Sequence, residues 1–280
     1  MIKIIKVILK RKIALIGVII LFLLAFVSIF APLITKYDPM AINAIERLKP
    51  PDAKHWFGTD NYGRDIHSRI IYGSRLTIIG GFGVVVFSIF FGVFIGATSA
   101  YFKNYGLIMM RLIDIIMAFP SLIVALVFMV ILGRGLMNVI IAVGIVHLAR
   151  TARIIYGSTL KIIEETYVKA AISVGATDNR VLLYEILPNL ISPIAVQITF
   201  TFALSILQIA SLDYLGLGVS PQIPSWGNML SEGRVYIVRA PWLVIFPGIF
   251  IALVVLSFNI VGDLLRDELD PRFRSQIQGV

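Results

Sequence analysis

Apolar residues in this chain come in long unbroken runs, unlike the alternation of a half-buried strand or the one-sided stripe of a soluble helix. A bilayer core about 30 Å thick takes roughly 20 helical residues at about 1.5 Å each. Residues 13–34 meet that length without a charge, and comparable runs fall at about 76–102, 106–132, 136–156, 190–212 and 242–262. The pattern therefore predicts an all-α integral membrane protein with six spans. The basic start, Lys3 to Lys12, resembles a signal peptide, but the apolar run that follows is too long and ends at Pro32 without a small-residue cleavage site, so it reads as a retained first span.

Two segments between the runs are too long to be simple connections. The first, 35–75, is rich in turn formers such as Asp38-Pro39, Pro50-Pro51 and Gly58-Thr59-Asp60. The second, 157–189, is amphipathic. Lys161 to Val174 reads as a helix, Gly175 stands where a left-handed residue ends helices, Thr177 or Asp178 can cap a second helix, and Pro188 is expected to stop it. Ala170 and Ala171 leave little bulk, so a partner surface could approach the backbone. A hairpin lying on lipid fits the spacing equally well.

Composition agrees with the pattern. Residues of the AVILMFWYC set make up 58% of the 280, only 15% are charged, and the formal net charge is +9. That excludes disorder and argues against a soluble enzyme. Nucleic-acid binding needs basic clusters on a polar face, whereas here Lys and Arg flank apolar runs. With the N-terminus inside, most of them fall on the cytoplasmic side, including Lys3, Lys6, Lys10, Arg11, Lys12, Arg150, Arg153, Lys161 and Lys169. This gives 1–12 as a cytoplasmic N-terminus, 13–34 as the first span, 35–75 as an extracytoplasmic loop, 76–265 as a five-helix core with 157–189 inside and 213–241 outside, and 266–280 as a cytoplasmic tail.

Candidate chemistry is sparse. Zero cysteines remove disulfides and thiolate sites, and His55, His67 and His147 have no metal-ligand spacing. No zinc-protease, nucleophile-elbow or phosphate-loop motif occurs. On the fifth span Gln197, Thr201, Ser205, Gln208 and Ser211 share one helix face, which either lines a watery path or bonds neighbouring helices. Ser88, Gly92, Gly96 and Ala100 form a ladder suited to close helix crossing. Arg111 and Asp114 are spaced to pair within one helix, which Pro120 is expected to kink. The lack of ionisable residues near the midplane argues against an ion channel or secondary transporter.

Four stretches together resemble the inner-membrane permeases of binding-protein-dependent ABC importers, in the subfamily serving dipeptides, oligopeptides and nickel complexes. Tyr167, Val168, Lys169, Ala170 and Ala171, then Gly175, Ala176 and Thr177, then Ile186, Leu187 and Pro188 are similar to that superfamily's EAA loop, with Lys169 where its Glu would stand. No ion pair is assigned to Lys169. Gly58, Thr59 and Asp60 with Gly63, Arg64 and Asp65 resemble a signature after the first span. Gly216 and Gly218 with Trp226 and Gly227 resemble a loop before the last, and Gly262-Asp263 with Leu269-Asp270-Pro271-Arg272 resembles the tail. His67 departs from the pattern and is expected to be a solvated loop residue. The resemblance implies the six-helix fold of type I importers and the role of the shorter, C-type subunit. It also implies a second homologous permease, two ABC ATPase subunits that hold the ATP and Mg, and an extracytoplasmic solute-binding protein. This chain is then a non-enzymatic, multi-pass subunit of a bacterial or archaeal inner membrane, without metal or cofactor. Short peptides are the expected cargo, with a nickel or other metal chelate as the alternative.

Overall fold

A computed structural model describes residues 12–269. The basic residues Lys3, Lys6, Lys10 and Arg11 and the tail residues Asp270, Pro271 and Arg272 lie outside them. Among the described residues the regular structure is helical, with one isolated bridge between Thr59 and Asp65. Five helices are long and apolar enough to span a membrane, and six when one bent pair counts as a span.

The first apolar run forms α1 (Lys12–Ile29) and a short α2 (Ala31–Ile34) carrying Pro32. The second run forms α3 (Ile66–Tyr101), 36 residues and about 54 Å long. It begins ten residues before the expected span, so 66–75 are helix and not loop. Hydropathy hides this turn because it carries Arg69 and Arg75; Asp65 fixes its start by accepting from Ser68 N at 2.8 Å. His67 accordingly stands in the first turn of α3, edge-on to Trp56 and Phe57, and not in a solvated loop.

The third run is two helices, α4 (Lys103–Met117) and α5 (Ser121–Leu132), bent by 95°. The chain turns at Pro120, which lacks an N–H and disfavours helix at Phe119. The kink expected there is a full break. Asp114 pairs with Arg153 across to the next helix, not with Arg111 as its spacing suggests. That helix, α6 (Leu136–Ile163), runs seven residues past the expected span. It lies parallel to α3, where the small-residue ladder brings the backbones together. A Cβ on Gly96 would stand 2.6 Å from the Ala152 carbonyl, and one on Gly92 2.7 Å from Thr151.

Beyond α6 the chain folds into an elbow. The first expected helix is interrupted at Glu164-Glu165, so only α7 (Thr166–Ser173) belongs to the elbow. After Gly175 come α8 (Asp178–Arg180), a π turn Val181–Ile186 and a 3₁₀ turn Leu187–Leu190, running into α9 (Ile191–Tyr214). Pro188 therefore does not stop a helix. The wide π turn before it and the tight 3₁₀ turn around it accommodate the missing N–H and the ring, and residues 178–214 read as one span. Within 213–241 lies α10 (Trp226–Gly233), capped by Ser225. The last helix, α11 (Trp242–Leu269), reaches past 266 into the expected tail.

Long α3 separates two ends. Its start meets the loops 35–65 and 215–241, packed around Ile66, Ile70, Trp226, Met229 and Leu243. Its finish meets the elbow, packed around Ala97, Ile155, Val168, Val181, Ile186 and Leu190.

Candidate functional site

At the elbow, Gly175 takes φ +83°, the left-handed conformation that a Cβ penalises, and open space surrounds it. Thr177 is extended just before α8 but makes no side-chain cap, and Asp178 instead accepts from Tyr101 Oη at 2.8 Å, tying the elbow to the end of α3. Val168 and Ile186 are fully buried and anchor the two arms, while Ala171 and Ala176 are half-buried. Tyr167, Lys169, Ala170, Leu187 and Pro188 face outward. So do Val174 at 85% exposure and Tyr184 at 72%, which adds apolar surface among exposed polar residues such as Asn179 and Arg180. Lys169 carries an ion pair after all, to Glu164 Oε2 at 2.7 Å, because α7 begins just after Glu164 and folds the two together. That lysine holds the Glu164 carboxyl below its usual range. The elbow is thus anchored from within and presents apolar surface outward.

At the loop end, the signature residues converge on one another. Asp60 accepts from Arg64 N at 2.9 Å and Arg64 Nε at 2.6 Å, and Arg64 Nη2 reaches Glu232 on α10 at 2.7 Å. Fully buried Arg69 lies 3.4 Å from Asp60 and 3.3 Å from the same Glu232. Burial pushes the Glu232 carboxyl up, and Arg69 and Arg64 pull it back. Asp65 also meets His55 Nδ1 at 2.8 Å, and His55 Nε2 meets Glu46 at 3.1 Å. Glu46 is further bound by Lys54. Thr59 holds Lys49 N at 2.9 Å, and its carbonyl accepts from Trp242 Nε1, packed against Gly58. Gly63 turns with φ +74° where a Cβ would strike the Asn43 carbonyl. Gly218 and Gly227 abut Asp213, Gly216 is left-handed, and Trp226 donates to the Ile70 carbonyl at 3.0 Å. Glu232 and Glu46 had no signal of their own in the sequence, whereas His55 opens the stretch that resembles the signature after the first span.

Between the ends, the polar face of α9 divides. Thr201 and Ser205 are fully buried; Gln197 Nε2 donates to Thr201 at 3.1 Å and Ser205 to the Phe202 carbonyl at 2.8 Å. Ser211 bonds back to Leu207. Gln197 borders a cavity of about 730 Å³ between α6, α9 and α11, and Gln208 borders one of about 400 Å³ toward α5. The five positions thus combine helix packing with cavity lining. Among the described residues no group of three or more His, Asp or Glu side chains is arranged to hold a metal.

Comparison with known proteins gives these features a context. The family described as binding-protein-dependent transport system inner membrane component matches residues 88–275, and that of the N-terminal membrane domain of oligopeptide transport permease C matches residues 3–51. A dipeptide transport system permease protein of Alkalihalophilus pseudofirmus is 42% identical over 267 residues, 95% of this chain and 88% of that protein. An oligopeptide transport system permease protein of Bacillus subtilis is 40% identical over 266 residues, 95% and 87% of the two chains. A crystal structure of an amino acid ABC transporter with histidines shares the fold, with TM-score 0.57 at 20% identity over 72% of this chain and 94% of that one. The chain belongs to the binding-protein-dependent ABC importer permeases, multi-pass proteins of the inner membrane.

Proposed function

We propose that this chain is the transmembrane permease subunit of an ATP-driven importer of short peptides, forming half of the pathway beside a second homologous permease. The observation that carries the coupling role is the elbow: two short helical arms, anchored by Val168 and Ile186 and exposing apolar surface beyond the bundle. Peptide as cargo is supported by the dipeptide and oligopeptide permeases it resembles. In this reading the elbow is cytoplasmic and seats on one of two ATPase subunits that bind ATP and Mg, while the loop end faces a solute-binding protein outside. Hydrolysis belongs to those partners and this chain holds no cofactor. Closure of the ATPases displaces the elbow, α9 carries the displacement into the bundle without a break, and the pathway between the permeases alternates its access. Coupling of this kind needs a stiff element with different contacts in its two states.

The complex reconstituted in liposomes with its binding protein should take up labelled dialanine only with ATP. With the cysteine-free chain as background, Asn61→Cys should react with an impermeant reagent from outside intact cells and Asp178→Cys should not. Uptake of a nickel chelate without dialanine, or uptake without ATP, would overturn the reading, and labelling at 178 would overturn its orientation.

A further inference from the structure

The extension of α6 to Ile163 changes where its charges stand. Arg150 lies roughly 20 Å from either end of that helix, in the stretch packed against Gly92 of α3. It is an ionisable group at the middle of a helix long and apolar enough to span a membrane, and an ionisable residue within such a helix is a functional-site candidate by default. Arg153, one turn on, is neutralised by Asp114. Arg150 is exposed and has no ion pair among the described residues.

The two cavities meet at this residue. Arg150 and Leu204 line both of them, so the cavities form one groove along α6 and α9. No carboxylate lines either part. Beyond Arg150 the smaller part holds His147, 3% exposed. Gln208 lines the same part; its Nε2 donates to Ser121 Oγ at 2.9 Å, and its side-chain amide faces the imidazole of His147. The groove thus offers a guanidinium at its waist, with Lys161 and Arg266 farther along the larger part and, in the smaller, the paired amide of Gln208 and imidazole of His147, whose bond a ligand's polar groups can take over. The matching ligand has a carboxylate adjoining an amide, which donates through N–H and accepts through C=O. The carboxyl end of a short peptide is that group.

We propose that Arg150 is a specificity-determining contact for the C-terminal carboxylate of a peptide in transit, with His147 and Gln208 taking up the adjoining amide. This rests on the peptide-importer reading above and adds the residues that distinguish a free carboxyl end.

The test uses the assembled complex without its binding protein. Leu204→Cys places a single thiol of this chain in both parts of the groove, and its rate of modification is followed by mass on this chain. Dialanine should slow modification and dialanine amide should not. Adding Arg150→Gln should raise the dialanine concentration for half protection about tenfold or more, the effect of losing one charge-assisted contact, and Arg150→Lys should restore part of it. Equal protection by acid and amide, or protection unchanged in Arg150→Gln, overturns the proposal. If Arg150→Gln dissociates the two permeases, the arginine serves an interface carboxylate instead. If anionic lipid slows modification and dialanine does not, the anion is a lipid phosphate. Dialanine uptake by the parent complex separates the two readings: uptake without protection defeats this inference alone, and no peptide uptake defeats both.

Discussion

The two ends of α3 are built on opposite principles. At its start, Asp60, Arg64, Arg69 and Glu232 lie largely buried and bind one another across 168 residues of sequence, with Trp226 and Trp242 bonded to backbone carbonyls beside them. At its finish, a few buried aliphatics and one Tyr101–Asp178 bond hold an elbow whose polar contacts are exposed. Buried charges that satisfy each other fix one arrangement strongly, because breaking any pair strands an ion away from water. Aliphatic anchors under an exposed apolar face leave the elbow free to seat against another surface. One end is a frame and the other a joint.

The largest expected effect comes from the frame. Arg69→Met leaves Asp60 and Glu232 sharing Arg64 alone, one buried cation between two carboxylates, and loss of one partner from such a group destabilises by about 3–5 kcal/mol. The variant should show a sharply lower thermal midpoint in detergent and poor recovery from membranes; a midpoint equal to the parent would reduce the frame to ordinary packing.

An intermediate effect is expected at the joint. Gly175→Val forces a β-branched residue into the left-handed region, at a cost of about 1–3 kcal/mol. Nothing lies within 4 Å of a Cβ there, so the bundle should assemble normally. The cost is comparable to a typical coupling energy between sites, about 1–3 kcal/mol. Uptake, and stimulation of ATPase activity by loaded binding protein, should therefore fall while the thermal midpoint holds. Full uptake would show that the elbow transmits nothing through this bend.

The smallest effect is a pH dependence confined to the frame's outer loop. Lys54, followed by His55, holds the Glu46 carboxyl down from its ordinary 4.5 to about 2. Because the folded value lies below the unfolded one, the contribution of Glu46 is complete above about pH 4.5 and is lost as pH falls through about 2. Trp56 and Trp242 flank this loop, so fluorescence-monitored melting between pH 6 and 3 should lose stability on acidification, and less so in Glu46→Gln. Identical profiles would assign the acid sensitivity to other carboxylates.

The sequence by itself determined the membrane class, the approximate spans, the ladder Ser88 to Ala100, and the bend at Gly175. Each depends on neighbours within one or two turns: runs of apolar residues exclude water whatever surrounds them, and only glycine enters a left-handed bend without strain. Tertiary structure decided the rest. The start of α3 at Ile66 escaped hydropathy because Arg69 is made tolerable by Glu232, far away in the chain. Pro188 was read as a stop, yet the π and 3₁₀ turns around it carry the helix onward into α9. The polar face of α9 has a regular period, but which of its residues meet a cavity depends on α5, α6 and α11 packed around it. Arg150 gained its central place only when α6 proved longer than its apolar run. Periodicity reports what one helix can do alone, whereas buried charge and cavities arise where several helices meet.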